Sequence, residues 1–92
     1  MTNVIMYIDP VNGIMYDCLN HSGNETVCTI MSTLTNVLVE AAERAGKDPT
    51  VYMPGHVRID LPPGTNAEET FRTVQAVIQQ AAEQHPEHIR IY

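Results

Sequence analysis

Apolar residues at Val27, Ile30, Met31, Leu34, Val37, Leu38, Ala41 and Ala42 recur at the three-and-four spacing of a single helix face. A chain of 92 residues must cover such a stripe with whatever else it can build, and this constrains the fold more than any other feature. Gly46 and Asp48-Pro49 end the pattern. A second stripe runs through Ala67, Phe71, Val74, Val77, Ile78 and Ala81. Asn66 is expected to open that helix, with Glu69 as its capping-box partner, and His85-Pro86 to close it.

Material to cover both stripes lies between and around them. Asn3 to Asp9 is rich in β-branched and aromatic residues and ends at Asp9-Pro10 and Asn12-Gly13. Gly13 to Leu19 reads as its hairpin partner. His56 to Leu61 alternates Val57, Ile59 and Leu61 against His56, Arg58 and Asp60, and His88 to Tyr92 supplies a closing strand. Tyr52 to Gly55 reads as a linker of undefined form. The expectation is one α+β domain over residues 1–92. Its order is β-β-α-β-α-β, with two helices packed on a mixed four-stranded sheet.

Composition narrows the function classes. The formal net charge is −6, and the five Lys and Arg residues are scattered. Phosphate backbones need clustered positive charge, so no nucleic-acid role is expected. No apolar run approaches the roughly 20 residues that span a bilayer, so no membrane partner is expected either. Met1-Thr2-Asn3 lacks a basic and apolar leader, which makes the cytoplasm the expected compartment and leaves Cys18 and Cys28 as thiols.

Leu19 to Leu34 is where chemistry can reside. His21 stands in a polar, Gly-containing loop, and Cys28 falls about one turn into the following helix. A helix N-terminus and a nearby imidazole both favour the thiolate, which is the nucleophilic form. The residues alone leave three readings open: a Cys-His nucleophile pair, a peptide-binding module without catalysis, and a metal site on Cys18, His21 and Cys28. The last offers only three local ligands and no Cys-x-x-Cys pair. Neither a metal nor a cofactor is expected.

The same segment resembles the Prp (YsxB-like) ribosomal-processing cysteine protease family. Gly23-Asn24-Glu25-Thr26-Val27-Cys28-Thr29-Ile30-Met31-Ser32 follows that family's Gly-x-Asp-x-Val-Cys-Ala-Ala-x-Ser in register. Gly55-His56-Val57-Arg58-Ile59-Asp60-Leu61-Pro62 is similar to its Gly-x-Val/Leu-x-Ile-x-Leu-Pro strand, and His85-Pro86-Glu87-His88-Ile89-Arg90-Ile91 to its closing signature. The resemblance implies His21 as general base and Cys28 as nucleophile, with Ser32, Glu25 and Gly23 in support. It also implies a homodimer acting on a peptide segment of a ribosomal protein precursor or a phage capsid or scaffold protein. The chain departs from the pattern at Asn20 and Ser22, where the family has Gly and Ala, and at Glu25, where it has Asp. Thr29 and Ile30 replace small residues, and the loop between His21 and Gly23 is shorter.

Overall fold

A computed structural model describes residues 1–92. Its elements are β1 (Thr2–Asp9), β2 (Gly13–Leu19), α1 (Glu25–Arg44), β3 (Val51–Met53), β4 (His56–Leu61), α2 (Glu68–Gln84) and β5 (Ile89–Ile91). The five strands form one mixed sheet in the order β3-β4-β2-β1-β5, and only the β1–β5 pair is parallel.

Strand alternation explains where the helices go. Cross-strand partners share a face. Registers such as Val4↔Cys18, Ile14↔Leu61, Tyr16↔Ile59 and Thr2↔Ile89 therefore assemble one apolar side. Val4, Ile14, Tyr16, Ile59, Leu61 and Ile89 bury there with Val27, Met31 and Leu38 of α1 and Phe71, Val74 and Ile78 of α2, as a single core. Burial of a side chain this size contributes roughly 1.5–3 kcal/mol, which is what the two sequence stripes require. The other sheet face has no helix. Central β2 shields Met15 and Asp17 there among its neighbours, while Ile5, Tyr7, Leu19 and Met53 stay exposed.

Helix α1 is bounded as its residues dictate. Asn24 caps it, its Oδ1 accepting from the Val27 N–H at 3.1 Å. At the far end Gly46 takes φ +89°, and the N–H groups of Gly46 and Lys47 donate to the carbonyls of Glu43 and Ala42. This is a Schellman closure.

Two expectations need correction. The sheet has a fifth strand, because Val51–Met53 of the supposed linker pairs with β4 through Met53↔His56 and Val51↔Arg58. Pro54-Gly55, with Gly55 at φ +81°, makes the two-residue turn. The order is accordingly β-β-α-β-β-α-β. Asn66 does not cap α2. That helix starts at Glu68 after Ala67, with no side-chain cap, and its first turn relies on the acidic Glu68 and Glu69.

Candidate active site

Cys28 enters the site from the first turn of α1. The positions spaced around it on the same helix face, Met31, Ser32, Thr35 and Asn36, form one wall of a cavity of about 250 Å³. Thr2, Cys18, Asn20 and His21, together with Tyr52, Gly55, His56 and Val57 of the β3–β4 hairpin, line the rest of it. His21 and Cys28 thus border the same space, although they come from a loop and a helix.

The loop that carries His21 is fixed at several points. Asn20 takes φ +71°, and its N–H donates to the Gly55 carbonyl at 2.8 Å. Thr2 Oγ1 donates to the Asn20 carbonyl at 3.2 Å. Gly55 presents bare backbone to the His21 ring: a Cβ at this position would stand 3.8 Å from Nε2. A His88 ring nitrogen lies 3.4 Å from the Ser22 carbonyl oxygen and supports the loop from behind.

Ser22, not His21, is the hydrogen-bonded neighbour of the thiol, with Oγ 3.2 Å from Sγ. The Cys28 thiol is held below its ordinary pKa, first by the Ser22 hydroxyl, then by the Ser22 N–H, with smaller help from the N–H groups of Gly23 and Asn24. Partial desolvation opposes them. Cys18 behaves in the opposite way, because burial pushes its thiol up. The two cysteines border one cavity, and their thiols are pushed in opposite directions.

The remaining residues singled out in the sequence divide into wall and frame. Ser32 lines the cavity one turn beyond Cys28. Gly23 supplies φ +78° at the turn into the helix, where a side chain would be strained. Glu25 is the first residue of α1 and is exposed; it favours the helix start by charge and does not line the cavity. Cys18, His21 and Cys28 all border the cavity, yet no three His, Cys, Asp or Glu side chains are grouped closely enough to hold an ion.

Sequence reasoning missed the contacts of Ser22, His88 and the β3–β4 hairpin with the site. His56 has an acidic partner of its own. Its Nε2 is 2.9 Å from Asp17 Oδ1, an arrangement that could orient a catalytic imidazole. Register places both on the helix-free sheet face, however, beside Arg58 and opposite the face that packs against α1. His56 borders the cavity from its strand while its ring is engaged on the far side.

No family model and no curated protein sequence matches the chain. Solved structures share its fold over almost the whole length. The ribosomal processing protease Prp from S. aureus, with a covalently linked product peptide, superposes at TM-score 0.78 and 21% identity, over 99% of this chain and 97% of that one. SMU.848 from Streptococcus mutans gives 0.77 and 23%, over 99% and 95%. The S. aureus Prp with a substrate peptide gives 0.70 and 19%, over 100% and 98%. The resemblance carried by the sequence motifs therefore holds at the level of the fold.

Proposed function

We propose that this chain is a Prp-type cysteine endopeptidase that removes a short N-terminal extension from the precursor of a large-subunit ribosomal protein. The observation that carries the reading is the placement of His21 and of a thiol biased toward its anion on one open cavity. The Prp fold of solved structures that hold a product or substrate peptide supports it.

His21 takes the proton of Cys28, and the sulfur anion attacks the scissile carbonyl carbon. The carbonyl π electrons move to oxygen, and backbone N–H groups around the start of α1 stabilise the resulting oxyanion. Collapse of this intermediate breaks the C–N bond, and the leaving amine receives its proton from His21. Water, deprotonated by His21, then hydrolyses the thioester and returns the thiol. Ser32 and Gly23 hold the surroundings of the sulfur, and Glu25 favours the helix start. The setting is the reducing cytoplasm, where Cys18 and Cys28 remain free thiols. The enzyme works as a homodimer, because a second copy would cover the exposed apolar residues Ile5, Tyr7, Leu19 and Met53 of the helix-free sheet face.

The test is incubation with candidate ribosomal protein precursors, read by mass spectrometry. Wild type should release a defined N-terminal peptide, and Cys28→Ser or His21→Ala should slow release by ~10³-fold or more. Release that continues unchanged in Cys28→Ser would sink the reading.

A further inference from the structure

The mechanism above leaves the Ser22 hydroxyl unused, although it touches the reacting sulfur. Ser22 is 6% exposed, so bulk water does not compete for its hydroxyl. Its Oγ accepts from the Asn24 N–H at 3.0 Å, and two further atoms lie within reach: the Asn24 carbonyl oxygen at 2.9 Å and Cys28 Sγ at 3.2 Å.

A hydroxyl has one hydrogen, so its partners depend on where the thiol proton is. With the thiol protonated, S–H donates to Ser22 Oγ and the Ser22 O–H donates to the Asn24 carbonyl. An anionic sulfur has no hydrogen to give and is a strong acceptor. The Ser22 O–H then gains more by turning to sulfur. The Asn24 carbonyl is not orphaned by this rotation, because it also accepts from the Cys28 N–H at 2.8 Å. The Asn24 N–H meanwhile continues to anchor Oγ. Every polar group is satisfied in both protonation states, and the change costs a single torsion.

Resting on the cysteine-peptidase reading, we propose that Ser22 is a catalytic residue whose hydroxyl accepts from the Cys28 thiol and rotates to donate to the sulfur anion once His21 has taken the proton. One proton moves from sulfur to the imidazole, and no other covalent bond changes. The hydroxyl belongs to this chain's own sequence: the pattern that its motif resembles has Ala at this position. A lowered Cys28 pKa agrees with this role.

Iodoacetamide labelling of Cys28, resolved from Cys18 by peptide mapping and followed across the pH range, tests the assignment. Ser22→Ala should move the midpoint of the Cys28 profile up by about one pH unit, making labelling ~10-fold slower near neutrality with the alkaline plateau unchanged. Ser22→Thr keeps the hydroxyl and should stay within about twofold of wild type. A purely structural role would lower the plateau or the melting temperature without moving the midpoint. The proposal is overturned if Ser22→Ala overlies wild type, or if a folded Ser22→Thr is as slow as Ser22→Ala. Should Ser22→Ala not fold, thiolate absorbance of the wild type decides: a Cys28 midpoint at or above that of ordinary cysteine overturns it. Precursor cleavage is scored separately. A shifted profile without cleavage rejects the peptidase reading and leaves Ser22 only as the hydroxyl donor to the Cys28 anion, whereas cleavage with an unshifted profile rejects Ser22 alone.

Discussion

The two thiols of this chain border one cavity and are pushed in opposite directions. Cys18 is desolvated against Tyr16 and the core, while Cys28 faces a hydroxyl and a run of backbone N–H groups. Alkylation follows the thiolate fraction, so the sign of each shift fixes the order of reaction. Below the ordinary cysteine pKa, Cys28 already has thiolate to offer and Cys18 has almost none. The contrast should be greatest near neutrality, at least ~10-fold, and should narrow as alkali ionises both. Timed labelling with peptide mapping at about pH 7 and pH 10 checks this, and equal slow labelling at both pH values would contradict it. Cys28 was legible as a candidate because its whole helix-start context lies in one contiguous stretch. The Ser22 contact was not, because it depends on how Asn20 at φ +71° and Gly23 at φ +78° turn the loop. Those dihedrals leave no period in the sequence.

At the scale of elements, long patterns were legible and short ones were not. Both helices, the first hairpin and β4 carry enough residues to display a period. β3 has three, of which two are exposed, and the turn Pro54-Gly55 was its only signal. The capping pattern at Asn66 misplaces the start of α2, because the helix begins at Glu68 without a side-chain cap. The first hairpin permits a sharper test. Gly13 sits at φ +94°, and a Cβ there would run into the Leu61 carbonyl of β4; Gly46 has φ +89° and nothing within 4 Å. Gly46→Ala should therefore cost only the left-handed strain, about 1 kcal/mol, and Gly13→Ala that strain plus displacement of β4, about 3 kcal/mol or more. Urea unfolding of the two variants measures the difference, and equal costs would show that β4 gives way freely. A buried bond joins sheet to helix as well: Tyr16 and Thr35 hydroxyls lie 2.7 Å apart. Tyr16→Phe should lose about 1–2 kcal/mol in the same assay, because Thr35 is left buried and short of a partner. Thr35 also borders the cavity, so comparing cleavage in that variant with its stability separates support of the wall from support of the fold.

The whole molecule is a two-layer structure with one face of its sheet uncovered, and its charge decides how copies meet. Each chain carries a formal net charge of −6, and two copies brought together double that to −12. Apolar contact favours the proposed pairing, and like charge opposes it at every ionic strength. Salt screens the opposing term, with a Debye length falling from about 30 Å at 0.01 M to about 8 Å at 0.15 M. It leaves apolar burial nearly untouched. A homodimer of this chain should therefore tighten as salt is added, opposite to a dimer held by ion pairs. Light scattering on a sizing column should give twice the 10.2 kDa chain mass at moderate salt, with the monomer fraction rising on dilution into low salt. A mass of 10.2 kDa at all salt concentrations would reject the homodimer. A dimer that loosens as salt rises would show instead that cross-subunit ion pairs, not apolar surface, hold the copies together. Arg90 is the natural donor to substitute in that case, because register puts it on the helix-free sheet face and, unlike Arg58 with Asp17 and Asp60, it makes no ion pair within the chain.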